Sequence, residues 1–442
     1  MSKYQIFGQR KLEGQISVKS SKNASLPILA GAILCNKEVV LNNLPLFTDI
    51  ENMEKILTHI GCKIRRVDDK TIINTENINN TYIPNELTKE IRSSIFMLGP
   101  MLTKMKRAKI AFPGGCNIGN RPIDLHLKGL KALNVEIKEE HGYLICNGEN
   151  MHGSEIILDF PSVGATENLM MAGVGAKGKT IIRNCAREPE IVDLQNFLKK
   201  MGAKIKGAGT ETIIVEKSDL TKINEISYTP IPDRIIAGTY LLAVASCGGK
   251  VEICNVLPKH LHSLLNKLQN TACNLQIKND KILIEVGSKL NGFNIETMPY
   301  PGFPTDLQPQ LVSFLTTAKG TNIVTENLFE GRFKHIPELI KMGANVVVKD
   351  KTAIIMGVES LSGAEVSATD LRAGAGLVIA GLTAKGYTIV DNIHHINRGY
   401  ENLMDELNSI NANIKLVEWN EEQKFNNFNN YFNNHCANCC FK

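Results

Sequence analysis

Cys116 lies in a glycine-rich stretch, Pro113-Gly114-Gly115-Cys116-Asn117-Ile118-Gly119, and Arg121 follows it closely. Three glycines in seven residues let the backbone turn tightly and come close to a ligand. A thiol in such a loop is poorly placed to be packed core, where free cysteine is usually found. Arg121 can stabilise the thiolate and lower the pKa of the thiol. Cys116 is therefore a candidate acid, base or nucleophile; the alternative is an exposed turn that happens to contain a cysteine.

Polar residues that stand just before apolar helical runs form a second group of candidates. They are Lys22-Asn23, Arg92, Ser162 to Thr166, Asp233-Arg234, Asp306 and Asp370 to Arg372. Taken singly, each can be a helix N-cap or half of a surface salt bridge, and Asp306 and Asp370 fit N-caps well. A helix N-terminus carries partial positive charge, so the basic residues there are best explained by a nearby anion. If these helix ends converge between two domains, they form a site for a substrate with several negative charges.

The elements that must position these residues recur along the chain. A helical run stops and a short strand follows at six positions: Gly61, Asn134, Gly202, Ala272, Gly343 and Asn411. The intervals run from 68 residues (134 to 202) to 73 residues (61 to 134), which indicates six units of about 70 residues. Gly and Asn tolerate the left-handed conformation that ends a helix. Ala272 does not, so we expect its unit to end differently.

A second signal runs in phase with the first. Apolar helical stretches lead through Gly178, Gly249, Gly320 and Gly386 into alternating strands, so each unit contains about two helices and several strands. A chain of 442 residues is too long for one ordinary core, and six units predict two domains of three units each. The sequence thus indicates an α/β fold in which each domain is a pseudo-threefold assembly, with apolar helices inside and sheets around them.

The composition narrows the class of protein. Hydrophobic residues make up 43% and charged residues 21% of the chain, which is typical of a soluble globular protein, and the net charge of +5 is mild. Such a charge is compatible with the binding of anionic small molecules. The sequence has no block of Lys and Arg of the kind that binds nucleic acid. The N-terminus lacks the apolar core of a signal peptide, and no apolar run reaches about 18 residues. We therefore expect a cytoplasmic protein that does not insert into membranes.

The cysteines and the C-terminal tail add two expectations. Among the 11 cysteines, Cys35, Cys146, Cys185 and Cys254 stand in apolar or strand-like surroundings, which predicts reduced, buried thiols. The Asn-rich segment after Trp419 is interpreted as a flexible appendage outside the repeats. The alternatives are a short helix that docks by its aromatic residues, or a zinc site at the clustered side chains His435, Cys436, Cys439 and Cys440.

Six motifs in collinear order resemble the family of UDP-N-acetylglucosamine 1-carboxyvinyltransferases, over about residues 1–418. The motifs are Lys22 to Pro27, Cys116 to Leu125, Arg187 to Asp193, Phe303 to Asp306, Asp370 to Ala373 and Asn397 to Glu401. The resemblance implies a fold of two inside-out α/β barrel domains with three repeats each. It also implies an enolpyruvyl transferase that uses phosphoenolpyruvate and UDP-N-acetylglucosamine, without a metal or other cofactor, at the start of peptidoglycan synthesis.

The domain limits follow from the sequence and the resemblance together. Two prolines in the segment Ser227 to Asp233 break both repeat patterns and mark a boundary. In the family the N-terminal segment belongs with the C-terminal half, so the chain crosses between domains near residues 21 and 230. We therefore expect one domain at 22–230, a second formed by 1–21 and 231–419, and a tail at 420–442.

The resemblance also implies catalytic roles. The reaction joins the enolpyruvyl group to the sugar 3-hydroxyl and releases phosphate, so a general acid must protonate the methylene carbon of phosphoenolpyruvate. Cys116 resembles this acid, and in the family it also forms a covalent adduct with that substrate. Asp306 resembles the base that takes the hydroxyl proton. Lys22 and Arg398 resemble residues that neutralise the leaving phosphate.

Two sets of binding residues are implied in the same way. The phosphoenolpyruvate set is Lys22, Asn23, Arg121, Arg332, Arg372 and Arg398, with Arg92 nearby. The UDP-N-acetylglucosamine set is Asn23, Arg92, Arg121, Pro122, Ile123, Asp124, Leu125, Ser162, Val163, Gly164, Thr305, Asp306 and Leu328. Binding of the nucleotide sugar is expected to draw the domains together and to close the Cys116 loop over the site.

The chain departs from the family pattern at a few positions, and three rival functions stay open. Phe160 stands where some members carry Lys beside the uracil, so contacts there rely on stacking or on the backbone; Asn134 replaces a more usual Gly. The nearest rival is the sister enzyme that acts on shikimate 3-phosphate, which lacks such a cysteine loop. An RNA-terminal phosphate cyclase would need a nucleophilic His in a Gly-rich context. A catalytically silent paralogue is the third rival.

Overall fold

The computed structural model describes residues 2–114, 123–220 and 225–418. The strands that begin before residue 220 are β1 (Ser2–Phe7), β2 (Leu12–Ser17), β3 (Glu38–Asn42), β4 (Lys63–Val67), β5 (Lys70–Asn74), β6 (Tyr82–Ile83), β7 (Arg107–Ala111), β8 (Glu136–Glu140), β9 (Tyr143–Asn147), β10 (Glu155–Ile157), β11 (Lys179–Arg183), β12 (Lys204–Lys206) and β13 (Thr212–Glu216). The later strands are β14 (Glu225–Tyr228), β15 (Gly249–Cys254), β16 (Asn274–Ile277), β17 (Lys281–Val286), β18 (Ile295–Glu296), β19 (Thr321–Thr325), β20 (Asn345–Lys349), β21 (Thr352–Met356), β22 (Glu365–Ser367), β23 (Tyr387–Asp391) and β24 (Ile414–Glu418).

Within these ranges the strands assemble into six four-stranded sheets that share one plan. The strand orders are β14-β3-β5-β4, β6-β7-β9-β8, β10-β11-β13-β12, β2-β15-β17-β16, β18-β19-β21-β20 and β22-β23-β1-β24. In each sheet the first two strands pair in parallel and the remaining pairs are antiparallel. Six sheets thus correspond to the six predicted units, and three of them are completed by a strand from elsewhere in the chain.

Strands from the two ends of the chain complete sheets far away in sequence. β1 pairs with both β23 and β24, and β2 pairs with β15, so the N-terminal strands belong to sheets of the C-terminal half. β14 returns to pair with β3 and completes the first sheet. These are the connections that crossings near residues 21 and 230 would produce; the domain limits themselves stay predictions.

Helices fill the space that the sheets enclose. The α-helices are α1 (Lys22–Ala32), α2 (Thr48–His59), α3 (Asn85–Thr88), α4 (Leu98–Met105), α5 (Asp124–Ala132), α6 (Val163–Gly175), α7 (Pro189–Lys200), α8 (Arg234–Cys247), α9 (His262–Gln269), α10 (Gln308–Leu315), α11 (Ile336–Lys341), α12 (Leu371–Thr383) and α13 (Leu403–Ser409). Short 3-10 helices cover Arg92–Met97, Pro258–His260, Thr305–Leu307 and Ile393–Arg398.

The apolar helices form the centre of each half, as predicted. α8, α10 and α12 pack against one another, and α4 and α1 both pack against α6. A helix that is apolar on every side has to be buried, and every residue of α12 from Leu371 to Leu382 is buried. The amphipathic helices, such as α2 and α7, bury one face only. The two-domain, inside-out α/β fold is confirmed.

The six helix stops all have the same backbone conformation. The φ angles are positive at Gly61 (111°), Asn134 (64°), Gly202 (94°), Ala272 (71°), Gly343 (88°) and Asn411 (76°). The expectation that the unit of Ala272 ends differently is therefore wrong. An alanine in the left-handed region costs about 1 to 2 kcal/mol, and Ala272 adopts this conformation between α9 and β16 despite that cost.

Two further expectations can be compared with the structure. Over the described ranges, every helix is too short or too polar to cross a lipid bilayer. Cys35, Cys146, Cys185 and Cys254 are buried thiols outside any disulfide, as predicted. Burial raises the pKa of the Cys146 thiol to about 12, so this side chain packs in the core and is not a nucleophile. The tail from Trp419 onward, with its cysteines, lies outside the described residues.

Candidate active site

Asp306 lies at the centre of a group of charged residues in the C-terminal half. It belongs to the 3-10 helix Thr305–Leu307, which leads into α10. Its Oδ1 accepts a hydrogen bond from Nη2 of Arg332, and its Oδ2 accepts one from Nη2 of Arg372 at 3.1 Å. The carboxylate is 28% exposed, whereas the two arginine side chains are almost completely buried. One carboxylate thus faces the solvent between two buried guanidinium groups.

This environment determines the charge of Asp306. Burial alone would raise its pKa, but the charges of Arg372, Arg332 and Lys22 and the hydrogen bond from Arg372 outweigh burial and lower it well below the usual range. The side chain is therefore ionised at neutral pH. The interpretation of Asp306 as an N-cap is wrong, because its oxygens bind arginines and α10 begins after Leu307.

Asp370 does cap a helix, as the sequence predicted. Its Oδ1 accepts hydrogen bonds from the backbone N–H groups of Arg372 at 3.0 Å and Ala373 at 3.1 Å, at the start of α12. The same oxygen lies 3.6 Å from Nη1 of Arg332. The cap therefore also fixes a guanidinium group that reaches Asp306.

Lys22 and Arg398 meet at a carboxylate that the sequence reasoning missed. Oδ2 of Asp49 lies 2.7 Å from Nζ of Lys22, and its Oδ1 accepts a hydrogen bond from Nε of Arg398 at 3.0 Å. Burial alone would raise the pKa of Asp49, but these two cations lower it overall. The available signal was an acidic residue in the first turn of α2, where no side chain caps the helix.

The two charged groups adjoin each other through Gly399. A Cβ atom added to Gly399 would lie 3.2 Å from Cδ of Lys22 and 2.7 Å from Cδ2 of Leu371. The glycine therefore lets the Lys22 side chain pass against the backbone next to Arg398 and the start of α12. Lys22 is also close enough to Asp306 for its charge to lower the pKa of that carboxylate.

Arg372 has hydrogen-bond donors beyond the one that binds Asp306. Its guanidinium carbon lies 5.6 Å from the centre of the Tyr400 ring, a cation–π geometry. Nη2 binds Asp306, but Nε and Nη1 are buried and make no hydrogen bond with any described residue. Buried donors without partners are rare and costly. The arrangement therefore suits an anionic group.

The predicted nucleotide-sugar residues of the other half stand at the starts of three helices. Arg92 begins a 3-10 helix, Ile123 precedes α5 with Asp124 and Leu125 in its first turn, and Val163 and Gly164 open α6. Ser162 caps α6, because its Oγ accepts a hydrogen bond from the N–H of Ala165 at 3.3 Å. Helices α5 and α6 pack together. These ends present backbone donors suited to an anion.

Other predicted residues are positioned at the edges of these groups or fall outside the description. Asn23 follows Lys22 in α1 and is partly exposed, and Leu328 donates its N–H to Oε1 of Glu326 at 2.9 Å. Thr305 donates its hydroxyl to Oε2 of the same glutamate at 3.0 Å. Cys116, Arg121 and Pro122 lie outside the described residues.

The motif Arg187 to Asp193 lies at the connection between the two halves. Oε1 of Glu190 accepts a hydrogen bond from Nε of Arg234 at 3.0 Å, and both side chains are buried. Asp193 accepts hydrogen bonds from the Tyr228 hydroxyl at 2.6 Å and from the N–H of Ile231 at 3.1 Å. This motif therefore holds the crossing segment rather than a reacting group.

Basic residues at these helix starts do not require an external anion, contrary to the expectation from the sequence. Lys22, Arg234 and Arg372 are each paired with a carboxylate of the protein itself. These carboxylates come from other helices or segments, so they are invisible to local sequence reasoning. The arrangement still offers an anion several cations, because Lys22, Arg372 and Arg332 all act on the partly exposed carboxylate of Asp306.

Comparisons with known proteins identify the family of this chain. The sequence profile described as EPSP synthase (3-phosphoshikimate 1-carboxyvinyltransferase) matches residues 6–407. The chain is 50% identical over 418 residues to UDP-N-acetylglucosamine 1-carboxyvinyltransferase 2 of Caldanaerobacter subterraneus subsp. tengcongensis, covering 94% of this chain and 100% of that protein. It is 46% identical over 420 residues to UDP-N-acetylglucosamine 1-carboxyvinyltransferase of Thermotoga maritima, covering 95% and 99%.

Solved structures with low sequence identity share the fold. The enolpyruvyl transferase NikO from Streptomyces tendae superposes with a TM-score of 0.85 at 22% identity, covering 95% of this chain and 99% of that one. EPSP synthase from Acinetobacter baumannii superposes with a TM-score of 0.75 at 16% identity, covering 95% and 100%. At such identities the likeness concerns architecture alone.

Proposed function

This chain belongs to the EPSP synthase family, and we propose that it transfers the enolpyruvyl group of phosphoenolpyruvate to the 3-hydroxyl of UDP-N-acetylglucosamine. The reaction releases phosphate and is the first committed step of peptidoglycan synthesis. The observation that carries the proposal is identity of 44–50% along nearly the whole chain with relatives named UDP-N-acetylglucosamine 1-carboxyvinyltransferase. The cytoplasm is the proposed location, which the free and mostly buried cysteines support.

The proposed base is Asp306. Its surroundings keep it ionised, but a carboxylate with a strongly lowered pKa is a weak base. Phosphoenolpyruvate would bring a phosphate and a carboxylate to Arg372, Arg332 and Lys22, and so would balance the charges that lower this pKa. Binding of the substrate would therefore raise the basicity of Asp306 at the moment when the sugar hydroxyl has to lose its proton.

The proposed anion site combines the cations of both charged groups. Lys22, Arg332, Arg372 and Arg398 are joined by Arg121, whose position is taken from the resemblance alone. Guanidinium groups match the geometry of both phosphate and carboxylate. Positive charge fixed next to the leaving phosphate stabilises the charge that grows as its C–O bond breaks.

Cys116 is the proposed acid. Its proton goes to the methylene carbon of phosphoenolpyruvate, the sugar oxygen bonds to the neighbouring carbon, and Asp306 takes the hydroxyl proton. Phosphate then leaves and the Cys116 thiolate takes back one proton from the new methyl group, which regenerates the double bond and the thiol. The nucleotide sugar is assigned to Asn23, Arg92, Arg121 to Leu125, Ser162 to Gly164, Thr305, Asp306 and Leu328.

The second candidate is enolpyruvyl transfer to shikimate 3-phosphate, the activity after which the family profile is named. The named relatives and the cysteine loop favour the nucleotide sugar instead. One assay separates the two: purified protein is mixed with phosphoenolpyruvate and either acceptor, and phosphate release is followed. We expect release with UDP-N-acetylglucosamine only. Release with shikimate 3-phosphate alone would contradict the proposal, and release with neither would favour the silent paralogue.

The role of Cys116 has its own test. Cys116→Ser should lose most turnover, because an alcohol is a much weaker acid than a thiol. Fosfomycin, an epoxide, should alkylate the thiol and inactivate the protein, with modification at Cys116 detected by mass spectrometry. Cys247→Ser is the matched control, since Cys247 lies at the end of α8 within the fold. Full activity after complete alkylation of Cys116 would remove this residue from the mechanism.

A further inference from the structure

Glu326 is a buried carboxylate just after β19 that accepts four hydrogen bonds. Its Oε1 accepts from the Thr297 hydroxyl at 2.8 Å and from the N–H groups of Leu328 at 2.9 Å and Phe329 at 3.1 Å. Its Oε2 accepts from the Thr305 hydroxyl at 3.0 Å. The residue is 3% exposed. A buried carboxylate is tolerated only when its oxygens are satisfied, and here four neutral donors do so.

The contact with Thr305 determines how a neighbouring arginine is held. Oγ1 of Thr305 also accepts a hydrogen bond from Nε of Arg332 at 3.1 Å. A hydroxyl has one hydrogen, and the carboxylate of Glu326 has none to give, so the Thr305 hydrogen points to Glu326. The lone pairs of Thr305 are then left for Arg332. The other end of Arg332 donates to Asp306.

A continuous chain of contacts therefore runs from Glu326 through Thr305 and Arg332 to Asp306. The same carboxylate holds the backbone of Leu328, which is assigned to the nucleotide sugar under the proposed function. We propose that Glu326 is a positioning residue for that reaction: it orients Arg332 against Asp306 and ties this orientation to the Leu328 segment. The proposal rests on the proposed function, since Asp306 is taken as its base.

The decisive variant is Glu326→Gln, which keeps the shape of the side chain and removes its charge. The oxygen of the glutamine can keep the hydrogen bonds that Oε1 of Glu326 accepts, and its NH2 group then faces the Thr305 hydroxyl. The hydroxyl can no longer donate there, so Arg332 loses an acceptor of fixed orientation. We expect kcat with UDP-N-acetylglucosamine to fall about 10- to 100-fold, the range for a lost charge-assisted hydrogen bond. The KM for phosphoenolpyruvate should change less than kcat.

The pH profile gives a readout that a purely structural role would not move. Arg332 lowers the pKa of Asp306, so an arginine that is no longer held in place should let this pKa rise. The acid limb of the kcat profile should then shift to higher pH in Glu326→Gln. The direct field of Glu326 is a smaller influence, because the dominant charges on Asp306 are Arg372, Arg332 and Lys22.

The matched control is Thr297→Val. It removes a donor to the same carboxylate and the acceptor for the N–H of Asn327, both on the side away from Thr305. We expect it to lower the melting temperature as Glu326→Gln does, while kcat and the acid limb stay as in the wild type. In a double-mutant cycle, Thr305→Val and Glu326→Gln should be strongly non-additive in kcat, because both interrupt one chain of contacts.

The outcomes separate this proposal from the proposed function. If the wild type shows no acceptor-dependent phosphate release, the proposed function fails. The Thr305–Glu326 contact is then tested by measuring the melting temperatures of the same single and double variants. Additive changes in melting temperature would overturn the contact. If the wild type is active and Glu326→Gln matches Thr297→Val in kcat and acid limb, the positioning role is refuted. Should Glu326→Gln fail to fold, Thr305→Ser must retain more turnover than Thr305→Val; equal losses would overturn the proposal.

Discussion

Replacing Asp49 by Asn should destabilise the protein, since this one carboxylate holds two cations from distant parts of the chain. Its oxygens lie 2.7 Å from Nζ of Lys22 and 3.0 Å from Nε of Arg398. All three side chains are largely buried, at 5%, 11% and 24% exposure for Asp49, Lys22 and Arg398. An asparagine oxygen can accept from one cation, but its NH2 group then faces the other.

The size of the effect follows from these contacts. Two charge-assisted hydrogen bonds are worth about 1.5 to 3 kcal/mol each, and an asparagine would retain roughly one weaker bond. Removing one partner of a buried ion pair costs about 3 to 5 kcal/mol. We expect a loss near 3 kcal/mol. At about 2.1 cal/mol/K per residue, this corresponds to about 3 °C if both halves unfold together, and to more if one half unfolds alone.

The dependence on pH identifies the cause. The pKa of Asp49 is lowered in the folded state, so its contribution is fully present above its ordinary value of 3.8, declines below that value, and is lost as the pH falls through the lowered pKa of the folded state. The difference between the wild type and Asp49→Asn should therefore be constant from pH 7 to pH 5 and should shrink below about pH 4. Urea unfolding at each pH, with the slope checked for two-state behaviour, measures the difference.

A matched variant lies in the same turn of α2. Glu51→Gln removes a carboxylate that is exposed, and its stability should change by less than about 0.5 kcal/mol. The reasoning would be refuted if Asp49→Asn were as stable as Glu51→Gln at pH 7. A stability difference that persists unchanged at pH 3.5 would also refute it, because the loss could not then come from the charge of Asp49.

Two further substitutions test how the site is shaped. Gly399→Ala should raise the KM for phosphoenolpyruvate about tenfold, since the new methyl group would collide with Leu371 and press on the Lys22 side chain; an unchanged KM would show that Lys22 moves aside freely. Phe160 is 48% exposed in the loop before α6, and Phe160→Ala should raise the KM for UDP-N-acetylglucosamine about tenfold if the ring stacks on the base, where stacking is worth about 1 to 3 kcal/mol. The KM for phosphoenolpyruvate is the internal control for Phe160→Ala, and equal changes in both constants would argue against stacking.

Local patterns in the sequence determined the repeats, the helices and the strands. Each of these features can be predicted from a few neighbouring residues, because helix ends and burial depend on neighbours in sequence. They include the helix stops at intervals of about 70 residues, the fully apolar helices and the cap at Asp370. The sequence also placed the basic residues Lys22, Arg92, Arg234 and Arg372 at helix starts, and predicted an anion site if those helix ends converge. Arg398 was added by the family resemblance.

Tertiary structure decided which charges meet. Asp49 binds Lys22 and also binds Arg398, which is 349 residues away from Asp49. Glu326 reaches Thr305 and Thr297 across 21 and 29 residues. β1 enters a sheet between β23 and β24 from the other end of the chain. Ala272 takes a left-handed conformation that its own propensity opposes. The ion pairs, the hydrogen bonds of Glu326 and the pairing of β1 all depend on contacts between segments distant in sequence, which local patterns of neighbouring residues cannot show.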